Sequence, residues 1–284
     1  MNSSVPDSLA VIAGKGVYPR LLAESARRQG VRRLFAVAFK KETDKSLAKL
    51  FDDVAWINMG QLQRMREVLR ESGIRHVVMV GLIKPTHLFR ALPDAELRAL
   101  LAGLRLRNAQ TIFGAIGDLL KADGFAVLPA STFMEMHMPA AGLLTRRGPT
   151  PVETSDIELG LDVARQTSDL DIGQTVVVKQ GTILAVEAFE GTDETLRRAG
   201  RLGGAGAVIV KLAKKGHDMR FDIPVIGAHT IKVMRKIQAA ALAVEAGRCI
   251  LLERERILEE ADRNGLCITA FEPALVRPSA RDLP

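Results

Sequence analysis

The chain has 284 residues, 47% hydrophobic and 26% charged, which excludes a disordered or fibrous protein and suits about two globular domains. Its 40 Lys and Arg against 33 Asp and Glu leave a formal charge of +7, pointing to anionic partners. Nucleic acid is not expected among them, because the basic residues are scattered and stacking platforms are scarce at ten Phe, one Trp and one Tyr. No apolar run reaches the roughly 18 residues of a membrane span, and residues 1–9 lack a basic and then apolar leader, so a cytoplasmic protein is expected. Cys249 and Cys267 lack metal-ligand spacing, lie among apolar residues and read as buried thiols.

In chain order, residues 9–13, 34–39, 54–59, 76–80 and 125–128 are short apolar runs of the kind buried on both sheet faces. Amphipathic segments at 21–29 and 61–72 alternate with them, predicting a parallel, doubly wound, Rossmann-like sheet over residues 1–136. Residues 88–108 carry Leu97, Leu100, Leu101 and Leu104 at helical spacing with Arg90, Arg98, Arg105 and Arg107, a basic amphipathic helix that lies on a membrane, lines an apolar groove or simply faces a core. The Pro, Gly and Arg content of 137–152 predicts a linker, and Thr154 or Ser155 would cap a helix from about Asp156. The remainder, 153–284, reads as a mixed α/β domain. It would hold a hairpin (175–179 and 182–189), a helix at 193–199, a strand at 207–212, an extended segment at 219–223, helices at 230–246 and 254–264, and a strand at 267–270.

Several groups of residues carry candidate chemistry. Gly14, Lys15 and Gly16 follow the first strand, where glycines let backbone approach a phosphate before a helix N-terminus, although neither the dinucleotide nor the P-loop spacing is present. Gly81 and Lys84 end the fourth strand and would line the same crevice by the switch-point rule. A tight turn and a solvated lysine are the plain alternatives. Glu187, Glu190, Asp193 and Glu194, with Thr192 between them, put four carboxylates at a strand end, for metal or cation binding or for helix capping. If 218–222 is extended, Asp218, Arg220 and Asp222 share one face that would hold magnesium and a phosphate, or else a solvated edge. Lys211, His217 and His229 flank that face, and no zinc pattern or nucleophile elbow occurs.

Five stretches carry a family resemblance: 12–19 (IAGKGVYP), 81–85 (GLIKP), 171–178 (DIGQTVVV), 186–194 (VEAFEGTDE) and 218–227 (DMRFDIPVIG). They resemble the metal-dependent, two-domain UDP-2,3-diacylglucosamine diphosphatases of lipid A biosynthesis across most of the chain. The resemblance implies hydrolysis of the pyrophosphate to UMP and 2,3-diacylglucosamine 1-phosphate (lipid X), with Mg2+ and with water attacking the sugar-side phosphorus. It implies a ligand cleft between a Rossmann-like and a mixed α/β domain, a homodimer, and contact with the inner membrane surface. Asp222 matches the family's catalytic aspartate, while His217 stands where the family more often has Gln. On this reading Asp222, Glu187 and Glu190 serve the metal, and Asp222, Asp218, Arg220 and Lys211 serve catalysis. Gly14, Lys15, Gly16, Gly81, Lys84, Thr192 and His229 then bind substrate. The alternatives are a non-catalytic nucleotide-sugar or lipid carrier on the same scaffold and an NADP-dependent oxidoreductase using Lys40 and Lys41.

Overall fold

The apolar runs of the first half become strands because each has no polar side to turn outward. β1 (Ser8–Ala13), β2 (Arg33–Phe39), β3 (Asp53–Ile57), β4 (His76–Val80) and β5 (Ala126–Val127) form one parallel sheet in the order β3-β2-β1-β4-β5. Alternate residues of β1 and β2 are buried on both sides: Ala10, Ile12, Phe35 and Val37 join one core cluster, while Leu9, Val11, Leu34 and Ala36 are just as buried. Each such Leu or Val contributes about 1.5–3 kcal/mol. The structure, a computed structural model, describes residues 5–83, 92–106, 108–213, 218–221 and 223–272. The described residues divide into two units, one running to Met134 and including 218–221, the other formed by the rest from Glu135.

The first unit's helices are α1 (Tyr18–Arg28), α2 (Leu62–Glu71), α3 (Ala95–Gly103) and α4 (Ala109–Ala122). The basic segment expected as one helix over 88–108 is helical only in α3, which Asp94 caps through the Leu97 amide, and Asn108 then caps α4. Leu97 is buried, and Leu100, Leu101 and Leu104 pack against the core, so the apolar stripe is mainly a core face. α4 is absent from the expected elements because Gly114 and Gly117 interrupt its pattern; here they lie beside Phe221 and the Arg220 guanidinium. No described helix is long and apolar enough to cross a membrane.

The second unit is built on a six-stranded sheet ordered β6-β13-β11-β9-β7-β8. Its strands are β6 (Gly142–Leu143), β7 (Thr175–Lys179), β8 (Thr182–Val186), β9 (Val208–Lys211), β11 (Ala241–Glu245) and β13 (Cys267–Phe271), with β10 (Val225–Ile226) pairing β12 (Ile250–Leu251) separately. β9, β11 and β13 are mutually parallel, while β6, β7 and β8 run antiparallel to their neighbours. α5 (Pro151–Asp169) covers one face, and α6 (Thr192–Gly203), α7 (Ala228–Lys236) and α8 (Arg254–Arg263) cover the other. Both cysteines are free and buried, and burial pushes the Cys249 thiol up to about 12.

Four expectations change here. The stretch expected as a linker is woven into this unit: Leu143 pairs with β13, Thr145 Oγ1 accepts the Ile268 amide at 2.8 Å, and Arg147 binds Glu153 at 2.8 Å. The following helix is capped by Thr150, not Thr154 or Ser155, in a capping box with Glu153. The helix expected to run to 246 stops at Lys236, where Gln238 turns left-handed, and the rest becomes β11; a buried apolar run cannot be told from a buried helix by periodicity. Finally, 219–221 is a turn rather than an extended strand, because Asp218 Oδ1 accepts the Arg220 amide at 3.1 Å.

Candidate functional site

In the second unit, strand direction gathers the chemistry. β7 starts, and β8, β9 and β11 end, at one edge of the sheet, bringing Thr175, Glu187, Lys211 and Glu245 to that edge. Ligands of such sheets bind beyond the carboxyl ends of the parallel strands. The Lys211 side chain is only 5% exposed. Its Nζ donates to Thr192 Oγ1 at 2.8 Å and to Thr175 Oγ1 at 3.3 Å. Thr192 Oγ1 in turn donates to Glu187 Oε1 at 2.9 Å, and Lys211 Nζ lies 3.9 Å from Glu187 Oε2. Glu187 Oε2 is buried with no hydrogen-bond partner. The cluster is therefore a buried ammonium and carboxylate joined through a threonine at the first residue of α6. The left-handed Gly191, with φ of 83°, starts that helix, whose free amides add positive potential.

The surrounding acids are committed elsewhere. Glu190 Oε1 accepts from Arg198 at 2.5 Å and its Oε2 from the Ala188 amide at 3.2 Å; the Arg198 contact holds its carboxyl below the usual range. Asp193 joins the starts of α6 and α7, accepting from Thr230 Oγ1 at 3.2 Å and lying 3.3 Å from His229 Nε2. His229 is itself exposed and also near Arg197. Glu245 was not among the expected residues. It is buried at the end of β11, where Oε2 accepts the Ala213 amide at 3.0 Å and Oε1 accepts from Arg248 at 3.1 Å, so it anchors the exit from Lys211. Its signal is an acid closing the apolar run Ala-Leu-Ala-Val. Gly173 was also missed: a Cβ there would lie 2.0 Å from the Glu187 carbonyl oxygen.

In the first unit, the expected pairing of the glycine turns is found at the switch point between β1 and β4. A Cβ on Gly14 would fall 2.8 Å from the Gly81 carbonyl carbon, and one on Gly81 would fall 2.9 Å from that of Gly14. Lys15 and Leu82 exchange backbone hydrogen bonds at 3.0 and 2.9 Å. The close crossing of the two chains accounts for Gly14 and Gly81, leaving Gly16, with φ of 100° and open surroundings, and the exposed Lys15 available to a ligand. Asp218 and Arg220 also belong to this unit. Arg220 binds Asp218 through Nε at 2.7 Å and through Nη2, and reaches Asp118 on α4 at 2.8 Å. These bonds raise the Arg220 guanidinium and hold the Asp218 carboxyl low. Phe221 packs on Phe113 with ring centroids 6.0 Å apart. The arginine is thus a tether of this segment to α4. Asp222, Lys84 and His217 lie outside the described residues.

These positions test the fit for magnesium. Among the described residues no three of His, Cys, Asp and Glu converge on one point. Glu190 and Asp218 are neutralised by arginines, and Glu187 has Lys211 beside it. The described residues do not fit a resident ion held by several carboxylates, leaving Glu187 Oε2 as one spare protein oxygen.

Comparisons with known proteins follow the same division. Residues 8–137 match the LpxI N-terminal domain and 140–269 the LpxI C-terminal domain. The chain is 33% identical to UDP-2,3-diacylglucosamine pyrophosphatase LpxI of Caulobacter vibrioides, over 93% of this chain and 98% of that protein. Among solved structures, the biotin carboxylase domain of Hydrogenobacter thermophilus 2-oxoglutarate carboxylase aligns at 10% identity and a TM-score of 0.28, over 69% of this chain and 40% of that one. Glycinamide-RNase-transformylase T of Mycobacterium tuberculosis aligns at 12% identity and a TM-score of 0.27, over 64% of this chain and 44% of that one. The chain spans less than half of either, and likeness this slight bears on neither fold nor activity. The matches to both domains and to the Caulobacter protein place this chain in the LpxI family.

Proposed function

We propose that the chain is a hydrolase that cleaves the pyrophosphate of UDP-2,3-diacylglucosamine into UMP and 2,3-diacylglucosamine 1-phosphate. Family membership supports the substrate. The observation that carries the chemistry is the buried Lys211 ammonium, held by Thr192 at the start of α6. Phosphoryl transfer asks a protein for little covalent chemistry and much positioning of positive charge. Lys211 and the α6 amides would bind non-bridging phosphate oxygens and stabilise the charge that develops on them. Glu187 accepts the Thr192 hydroxyl and so orients it toward Lys211, whose Nζ lies 3.9 Å from the second carboxylate oxygen. Hydrogen bonds within the cluster hold Lys211 and Thr192 in place before any substrate binds.

In this reading water attacks the sugar-side phosphorus. Its oxygen enters the sugar phosphate, the bond to the bridging oxygen breaks, and UMP leaves with that oxygen. Asp222 is proposed as the group that takes the water's proton, on the family resemblance alone. Lys15, Gly16 and Lys84 are proposed for the nucleotide end, His229 for a substrate contact, and Asp218 and Arg220 for holding the Asp222 segment to α4. We keep Mg2+ in the proposal as an ion the diphosphate carries in, since magnesium retains waters and substrate phosphates as most of its ligands. A homodimer is carried over from the resemblance in the same way. Hydrolysis in heavy-oxygen water tests the route: label in the sugar 1-phosphate and none in UMP is expected, and label in UMP refutes it.

A further inference from the structure

Tyr18, the only tyrosine of the chain, is buried at the start of α1, just after the Gly14-Lys15-Gly16 turn. A buried tyrosine hydroxyl calls for a hydrogen-bond partner. Here it donates to the Ala130 carbonyl at 2.6 Å. The Ala130 amide in turn donates to the Met219 carbonyl at 2.7 Å. One buried alanine therefore joins the helix that follows the glycine turn to the turn at 218–221, and a phenol hydroxyl closes the link. Phenylalanine would fill the same space; the hydroxyl adds a hold on the backbone.

The loop around Ala130 is built as a fixed support. Two backbone bonds turn it, the Thr132 amide to the Pro129 carbonyl at 3.0 Å and the Met134 amide to the Ser131 carbonyl at 2.8 Å. Phe133, between them, is buried with φ of 66°, a left-handed conformation that a bulky side chain keeps only where its surroundings impose it. α1 supplies a second hold there: Gln29, at its far end, donates through Nε2 to the Phe133 carbonyl at 3.4 Å. The 218–221 turn rests on this unit at three points, Met219 on Ala130, Arg220 on Asp118 and Phe221 on Phe113. The last two lie on α4, so Met219 is the point connected to α1.

We propose that Tyr18 is a positioning residue for the hydrolysis. Through Ala130 it sets the 218–221 turn, which leads directly into Asp222, against the glycine turn proposed for the nucleotide end. This role rests on the proposed function; the link itself does not.

The test is Tyr18→Phe, read by hydrogen exchange on the full chain and by UMP release from substrate in detergent micelles. Ser72→Ala is the control: it too removes a buried hydroxyl of the first unit, one whose bonds go to Leu69 and Ile74. In Tyr18→Phe the Ala130, Arg220 and Phe221 amides should exchange at least about tenfold faster while those of β1 and β2 keep the wild-type rate, as local opening requires. The kcat should fall about tenfold, the effect of a displacement of about half an ångström at roughly 100-fold per ångström, with KM within about twofold. Gln29→Ala should move exchange and kcat in the same direction. Ser72→Ala should lower the melting temperature and leave both readouts unchanged. Wild-type exchange at Arg220 and Phe221 in Tyr18→Phe, kcat within about twofold of wild type, or an equal loss of kcat in Ser72→Ala would overturn the proposal. Faster exchange in Tyr18→Phe, with no UMP release even from the wild-type chain, would remove the proposed activity and the role in it, and leave the link standing.

Discussion

Replacing Gly173 with Ala tests whether Glu187 must sit where it does. The added Cβ would be 2.0 Å from the Glu187 carbonyl oxygen and 2.6 Å from its carbonyl carbon, whereas ordinary contact begins at 3.4 Å. One side must therefore move by 3.4 − 2.0 = 1.4 Å. Both sides are tied down: the Glu187 amide donates to the Thr175 carbonyl at 2.8 Å, and Thr167 Oγ1 donates to the Gly173 carbonyl at 3.3 Å. Glu187 also accepts the Thr192 hydroxyl, so its displacement reaches Thr192 and Lys211. Overpacking of this kind costs about 1–3 kcal/mol, within the roughly 5–15 kcal/mol of a folded domain. A misplacement near 1 Å costs about 100-fold in rate. Steady-state UMP release with a parallel thermal melt should show kcat down about 100-fold in a folded protein. A folded variant with kcat within about threefold of wild type would refute the coupling of Gly173 to the site.

Three further outcomes follow from the same geometry. Lys211→Met should lower kcat about 100- to 1,000-fold, as removal of an oxyanion donor does, and unchanged kcat would remove Lys211 from the mechanism. Gly81→Ala places a Cβ 2.9 Å from Gly14 backbone at a φ of 96°, and should lower the melting temperature through about 1–3 kcal/mol of overpacking plus about 1–2 kcal/mol of left-handed strain; an unchanged melt would contradict the crossing. Asp123, bound by Arg66 at 2.6 Å and Arg70 at 2.7 Å, has its carboxyl held below the usual range, first by the Arg66 hydrogen bonds. A depressed folded pKa stabilises above the unfolded value near 3.9, and that stability is lost as pH falls through the folded pKa. Urea unfolding should therefore weaken below about pH 4 less steeply in Asp123→Asn than in wild type, and identical slopes would count against it.

Much of the first unit was legible because its strands are short apolar runs, β1 and β4 closed by glycine and β2 by lysine, as suits parallel strands buried on both faces. The glycines after β1 and β4 were legible as a pair, but their mutual contact was not, since it depends on register between strands far apart in sequence. β11 was read as helix because Ala-Leu-Ala-Val is apolar at either period. The segment 218–221 was read as strand from alternation alone, whereas a local bond from Asp218 to the Arg220 amide turns it and Arg220 carries it to α4. Lys211 and Thr192 were marked as candidates, yet only the antiparallel β7 and the start of α6 bring Thr175, Thr192 and Glu187 around the ammonium. Glu245 and Gly173 carry weak local signals, a terminal acid and a lone glycine, whose meaning exists only after folding.

The most direct measurement is incubation of the purified chain with UDP-2,3-diacylglucosamine in mixed micelles, with products followed by phosphorus NMR and mass spectrometry. The account predicts UMP and 2,3-diacylglucosamine 1-phosphate in equal amounts, with turnover falling at least about 100-fold in Lys211→Met. Tight binding of the substrate with no cleavage would contradict it and make the buried ammonium part of a carrier.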